Sequence, residues 1–310
     1  MPRISAKSAL FVSTAALVLA ACATAQMGQR PGPGGGSGGG QGGNGGPGRT
    51  WDVEQIGTPD SRVSATRNPG TSRVSITVSG DTRTIAANNI PEHNVGSFPN
   101  GTITAQNNVY QVDATPSLTG RTSYINLGTS FGVAVNGVTF DPLAAEFYEK
   151  GGQDWNYVAL NGAIRLGLDT QTGHIQRGGE YHYHGIASAL LSDLGYSSAS
   201  HSPLIGYAAD GFPIYALTGQ NGVKAISSYV LKSGSRPGGS NAPGGTYDGT
   251  FHADYQYVAG AGNLDECNGM MTVSAEYPGG TYAYFLSEGY PTVPICHKGT
   301  VSSSFRGGRG

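Results

Sequence analysis

Charge is scarce in this sequence. Asp, Glu, Lys and Arg make up 12% of the residues and are scattered, with no run of either sign. The lack of a basic stripe excludes nucleic acid as a partner. Apolar residues at helical spacing are almost missing too, which leaves the β-rich fold classes. No fixed-period repeat is present, and the only long apolar run spans residues 9–21. That run is too short to cross a bilayer, and with Arg3 and Lys7 ahead of it the layout is that of a secretory signal.

The run ends in Leu19-Ala20-Ala21-Cys22, a lipobox-like sequence in which Cys22 becomes the lipidated first residue of the mature chain. Cleavage at Ala21, Ala23 or Ala25 is the ordinary alternative. Ala23 after the cysteine favours the outer membrane of a Gram-negative cell, periplasmic or surface-facing, so the membrane is a partner only through the lipid. From Gln26 to Arg49 glycine dominates and apolar side chains are nearly absent, so this stretch cannot offset its ordering entropy and reads as a tether. The organisation expected is a signal peptide over 1–21, a lipidated cysteine and tether over 22–50, one β-rich domain over 51–300, and a disordered tail over 301–310. Losing Arg3 and Lys7 with the signal leaves sixteen basic against twenty acidic residues, a net charge of about −4 with neutral histidines. With Cys22 lipidated, Cys267 and Cys296 remain as a pair in an oxidising compartment, where a disulfide is the default. Such a bridge closes a loop of about 30 residues and contributes about 3 to 4 kcal/mol by chain entropy. The alternative makes one of them a soft metal ligand.

Period-two segments such as "RVSITVSG" (73–80), "FGVAVNGVTF" (131–140) and "TYAYFLS" (281–287) have the alternation and residue types of half-buried strands. Residues 141–150 and 185–195 suit short helices. With Gly and Pro cutting the strands short, the class expected is mainly β: an antiparallel sandwich or distorted barrel with two or three short helices. "SGSRPGGSNAPGG" (233–245) reads as a long surface loop.

Two of the seven histidines fall in "GGEYHYHG" (178–185). On a strand, His182 and His184 share one face and Tyr181 and Tyr183 the other. Their imidazoles can converge on one ion at about 2.0 to 2.1 Å, and a metal removes the like-charge and desolvation problem of a buried pair. The plainer readings are two hydrogen-bonded histidines or an acid/base pair. Among further ligands, His93 in "NNIPEHN" ranks first because Pro91 stiffens its approach and Glu92 stands beside it. His174 and His201, in flexible contexts, rank second with Asp210, whose place before Gly211 equally suits an Asx turn. His252 lies in a strand-like segment and His297 follows Cys296. Glu146, Asp265 and Glu266 offer oxygen ligands for calcium, a lesser option because no calcium-loop spacing is present. "GTSFG" (128–132) matches a nucleophile motif but lacks the strand-turn-helix setting, so Ser130 is discounted. The seventeen tyrosines, if exposed together, form a stacking platform for sugars; buried, they are sheet residues.

Four blocks, "AVNGVTFDPLAAE" (134–146), "GLDTQTGHIQRGGEYHYHG" (167–185), "HSPLIGYAADGFPIYA" (201–216) and "LDECNG" (264–269), resemble in order the bacterial YHYH-domain proteins. The resemblance runs from Ile76 to Gly299 and carries no established reaction with it. One departure is Ala283 in "GTYAYF", where relatives carry histidine, which removes a ligand at that position. The expectation is an extracytoplasmic protein holding copper or zinc through His93, His182 and His184. If the fourth position takes substrate, it is a metal-dependent oxidoreductase or hydrolase. The alternative is a non-catalytic surface module that binds a glycan or protein through Tyr-rich loops, and a small-molecule partner is left open.

Overall fold

The structure is a computed structural model that describes Val63, residues 66–148 and residues 152–306. These lie in one contact unit, Asn44–Gly310. The signal, Cys22 and the tether expected over 1–50 fall outside the described residues.

Among the described residues seventeen short strands follow one another. They are β1 (Thr66–Arg67), β2 (Val74–Ser79), β3 (Thr82–Ala87), β4 (Val95–Gly96), β5 (Asn108–Asp113) and β6 (Ser123–Tyr124). Next come β7 (Gly132–Ala134), β8 (Thr139–Phe140), β9 (Gly173–Ile175), β10 (Tyr181–Tyr183), β11 (Gly206–Ala208) and β12 (Pro213–Ala216). The last are β13 (Tyr229–Leu231), β14 (Tyr255–Tyr257), β15 (Gly269–Thr272), β16 (Thr281–Leu286) and β17 (Cys296–His297). One α-helix is described, α1 (Ser188–Asp193), inside the stretch expected to be helical over 185–195. The helix expected over 141–150 is not formed in its described part. Asn156 takes the carbonyls of Ala144 and Glu146 through its Nδ2 at 2.7 and 2.8 Å, which holds that segment extended.

The protein is mainly β, and its principal sheet has eight strands in the order β15-β16-β12-β11-β7-β8-β10-β9, open at both ends rather than closed into a barrel. Two pairings, β8 with β10 and β12 with β16, are parallel, so the sheet is mixed rather than purely antiparallel. The three-stranded sheet β2-β3-β5 packs on one face of it, where Ile85 and Val112 meet Val133 and Ala209. Three two-stranded ribbons, β1-β4, β13-β14 and β17-β6, are separate from these sheets.

The "TYAYFL" strand is buried almost throughout rather than half-buried. Tyr282, Tyr284 and Leu286 join the main apolar cluster, while Ala283 and Phe285 join a second one with Tyr215 and Leu264. A strand covered on both faces needs apolar residues at consecutive positions, and its aromatic run meets that requirement. Ala283 thus fills a core position, 0% exposed.

Cys267 and Cys296 are joined as a disulfide, with Cα atoms 5.1 Å apart, so neither is a thiolate ligand. Asp210 and Gly211 lie in the turn between β11 and β12, closed by backbone bonds rather than by an Asx bond from the Asp210 side chain, with Gly211 at φ +90°. The Asp210 carboxylate accepts from the Tyr284 hydroxyl at 2.6 Å and the Gly299 N–H at 2.8 Å. Residues 301–306 of the expected disordered tail are built into the fold: Phe305 is 3% exposed and stacks on Tyr110 at 4.6 Å. Burying an aromatic ring there offsets the ordering of the turn that carries it. The 233–245 loop runs at the surface as expected, and Arg236 pins it to Asp254 through Nε at 2.8 Å and Nη2 at 2.6 Å.

The Tyr284 hydroxyl also accepts the Lys298 N–H at 2.6 Å, so it links two otherwise separate stretches of chain. Tyr284→Phe strands the Lys298 N–H and leaves the buried Asp210 carboxylate with the Gly299 N–H alone. It is expected to cost about 1 to 3 kcal/mol in urea unfolding, and an unchanged midpoint contradicts this role.

A three-histidine cluster on the β9-β10 hairpin

The site is built by one hairpin. Gln176 and Glu180 close a turn through Gly178 and Gly179, both at positive φ that L side chains rarely adopt, and this sets the register of β9 against β10. In that register His174 lies directly opposite His182, while Ile175 faces Tyr181 and Gly173 faces Tyr183. His184 follows two positions after His182 and shares its face. The three Nε2 atoms form an equilateral triangle, 3.1 Å on every side. Among the described residues this is the one group of three His, Cys, Asp or Glu side chains close enough to hold an ion. His182 and His184 are buried at 5% and 4% exposure, and His174 is partly exposed.

Tyr181 and Tyr183 point to the other face and are fully buried. Both hydroxyls are tied down. Tyr181 donates to the buried carboxylate of Asp169, whose oxygens lie at 2.9 and 3.0 Å and also accept from Gly96 N at 2.9 Å and Gln171 N at 2.8 Å. Tyr183 accepts from Asn136 Nδ2 at 2.9 Å, and its hydroxyl lies 2.5 Å from His93 Nε2. Because Asn136 can only donate there, the tyrosine O–H is directed at His93, whose Nδ1–H then donates to the Asn94 carbonyl at 2.9 Å. His93 is therefore a partner of the tyrosine face and not the third member of the histidine cluster. A strand sends neighbouring side chains to opposite faces, and His93 approaches from the side away from His182. Glu92 beside it is exposed. The third member is His174.

Burial lowers the pKa of all three clustered histidines. His182 falls to about 3, through desolvation first and the charge of His174 second, against a backbone acceptor at Glu180. His184 is pushed well below the ordinary value by desolvation and then by His182 and His174. His174 is lowered by desolvation, opposed by the Leu166 carbonyl, Glu146 and Asp169. The cluster is thus neutral at neutral pH. His174 Nδ1 donates to the Leu166 carbonyl at 2.7 Å, which fixes its tautomer and leaves Nε2 a bare lone pair. The buried Nδ1 atoms of His182 and His184 make no hydrogen bond. Glu180 and Asp141 are the backbone groups that influence these two rings, yet neither meets Nδ1 in hydrogen-bond geometry.

One hollow adjoins this face and shares part of its lining with a second. The first, of about 20 Å³, room for one water-sized molecule, lies among Pro142, Leu160, His184, His252, Tyr290 and Thr292. A larger cleft of about 480 Å³ shares His252 and Tyr290 with it. His252, also ranked low on sequence grounds, is held by a 2.9 Å bond between its Nδ1 and the Tyr290 hydroxyl, and desolvation lowers its pKa to about 4.

The remaining candidates lie elsewhere. His201 bonds Thr272 Oγ1 at 2.9 Å and packs edge-on to Tyr215. His297 stacks on Phe131 and bonds its carbonyl at 2.8 Å. The proposed calcium carboxylates do not gather. Asp265 caps the turn to β15 through Cys267 N and Gly269 N, Glu266 pairs with Lys298, and Glu146 is exposed. Ser130 precedes a strand, not a helix. The signal that could have promoted His174 was the hairpin: a Gly-Gly turn centred on 178 and 179 pairs 174 with 182.

The lowered pKa values fix a pH dependence for the metal-free protein. Between the unfolded-state value near 6.5 and the folded value, the unfolded chain binds more protons, so stability rises with pH across that window and is lost on acidification. His182 alone gives a slope of about 1.4 kcal/mol per pH unit from about 6.5 down to about 3. Urea unfolding in chelator is expected to show midpoints falling steadily from pH 7 to pH 5. His182→Gln is expected to flatten the trend, and a flat wild-type profile contradicts it.

A family model described as YHYH protein matches residues 109–299. No curated protein and no solved structure matches the chain. The matched region spans the hairpin, the Asp210 turn and both bridged cysteines, and it is more than half of the 310 residues. The chain therefore belongs to the YHYH protein family.

Proposed function

We propose that this protein binds a transition metal, zinc or copper, through His174, His182 and His184. The observation that carries the reading is the Nε2 triangle. With His174 Nε2 fixed as a lone pair, no arrangement of neutral tautomers satisfies all three contacts. Either His182 and His184 present N–H to each other, or one of them sets a lone pair against that of His174. A cation facing three lone pairs removes the conflict and turns the two unpartnered Nδ1 atoms into N–H donors beside backbone acceptors.

The dimensions agree. Three nitrogens 3.1 Å apart lie about 1.8 Å from their common centre. That spacing would let all three nitrogens reach one ion at about 2.0 to 2.1 Å, and His174, His182 and His184 would then hold it from one side. Three protein ligands and one exchangeable position suit a metal that takes substrate or water, and the small hollow beside His184 has room for such a molecule. Hydrolysis by a metal-activated water, or oxidation if the metal is copper, is the chemistry open to it. Lipidation at Cys22 with the tether behind it would place this site outside the cytoplasm, in the compartment that suits the Cys267–Cys296 bridge.

Metal analysis after loading with zinc or copper and exhaustive dialysis is expected to return about one ion per chain. His174→Ala, His182→Ala and His184→Ala are each expected to remove it, with His93→Ala retaining it. Wild type without stoichiometric metal, or full retention in His174→Ala, overturns the site. For the address, Cys22→Ser is expected to move the protein from the membrane fraction to the soluble periplasm; an unchanged distribution argues against the anchor.

A further inference from the structure

The larger cleft is a second site. It is formed where the ribbons β17-β6 and β13-β14 meet, with Tyr124 from β6 and Tyr255 and Tyr257 from β14, joined by Tyr229 and Tyr290. Among the described residues no Asp, Glu, Lys or Arg lines it, which suits an uncharged ligand, and its 480 Å³ lies within the range of small-molecule pockets. Two of its tyrosines offer free surface: Tyr124 is 60% exposed and Tyr257 37%. The deeper rings are held rigid, Tyr255 stacked on Tyr290 at 3.8 Å and Tyr229 edge-on to Tyr290 at 5.5 Å.

A polar anchor stands in the same wall. Asn156 is 6% exposed and lines the cleft. Its Nδ2 is committed to Ala144 and Glu146, while its buried Oδ1 has no hydrogen-bond partner. An unpaired acceptor at depth costs about 1 to 3 kcal/mol and calls for a donor from a ligand. His252 adds a second buried nitrogen, Nε2, likewise without a hydrogen bond. Asn126 and Gln256 supply further carboxamides.

We propose that this cleft binds a neutral saccharide. Tyrosine faces take the C–H faces of pyranose rings, the carboxamides and tyrosine hydroxyls take sugar hydroxyls, and Asn156 Oδ1 accepts from one hydroxyl at the inner end. A flat aromatic ligand would use the rings but leave Asn156 unpaired, and a charged peptide would find no charged side chain in the described lining. The site stands without the metal reading, because the three clustered histidines do not line the cleft.

The test is calorimetric titration of the full mature protein with cellotriose, chitotriose and maltotriose, with p-cresol as the aromatic comparison. At least one trisaccharide is expected to bind saturably, with equal affinity in EDTA and in zinc. Tyr124→Ala and Tyr257→Ala, at the rim, are expected to weaken it about tenfold or more, a loss of about 1.4 kcal/mol or more. Asn156→Ala, if circular dichroism shows it folded, is expected to weaken it as well. No saturable binding by any of the three up to about 10 mM overturns the proposal. So does affinity unmoved by both rim substitutions, binding of p-cresol alone, or binding lost in EDTA, which would assign the sugar to a metal instead.

Discussion

The arrangement depends on how the two tyrosines of β10 are anchored. A strand side chain has only two directions available, so fixing Tyr181 and Tyr183 inward fixes His182 and His184 on the opposite face. The anchoring is by both burial and hydrogen bonds. Two fully buried rings would leave costly unpaired hydroxyls, and Asp169, Asn136 and His93 satisfy them. Asp169 reaches further, because the same carboxylate accepts from the backbone of the turn that leads into β9 and from β4. One buried acid thus holds the tyrosine face and the strand that delivers His174. At Gly173 a Cβ would sit 2.4 Å from the Tyr181 ring, so the strand beside the cluster has no space for a side chain there.

The histidine face carries an electrostatic demand in return. Three imidazoles packed at depth cannot all be charged, and their lowered pKa values express that. Neutral rings still leave an unsatisfied contact, because three lone-pair atoms at mutual hydrogen-bond distance have too few protons in the right places. Such local conflict within a well-packed hairpin is the pattern expected where function, not stability, selects the residues. The rings are neutral and converge, and His174 is held with Nε2 as a lone pair, which suits metal ligation.

Around this rigid hairpin the ribbons β13-β14 and β6-β17 add surface of another kind. They lie outside the eight-stranded sheet and carry tyrosines with exposed faces, while the tyrosines of β10, β12 and β16 are buried. The same residue type serves as a core filler in β10 and β16 and as a cleft wall in β6 and β14. Burial decides between the two roles. His252 and Tyr290 line both hollows, and His184 lines the smaller one, so the cleft and the histidine cluster are neighbours.

Much of this was legible in the chain. Gly and Pro spacing with short period-two runs determined a mainly β protein, the alternation in Tyr181 to His184 determined which side chains share a face, and the cysteine count determined the Cys267–Cys296 pair. These are local properties, set by strand geometry and composition. What the sequence could not settle was long-range. His93 and His174 both lie in flexible contexts, and choosing between them needs the register of β9 on β10 and the place of residues 89–94 behind Tyr183. The helix expected over 141–150 was lost in its described part to Asn156, a partner distant enough in sequence to leave no periodic trace. The cleft is built from residues 124 to 295 and has no sequence signature at all. Side-chain direction follows from the backbone's own period, whereas which faces meet follows only from how separate segments pack, and that is where tertiary structure decides.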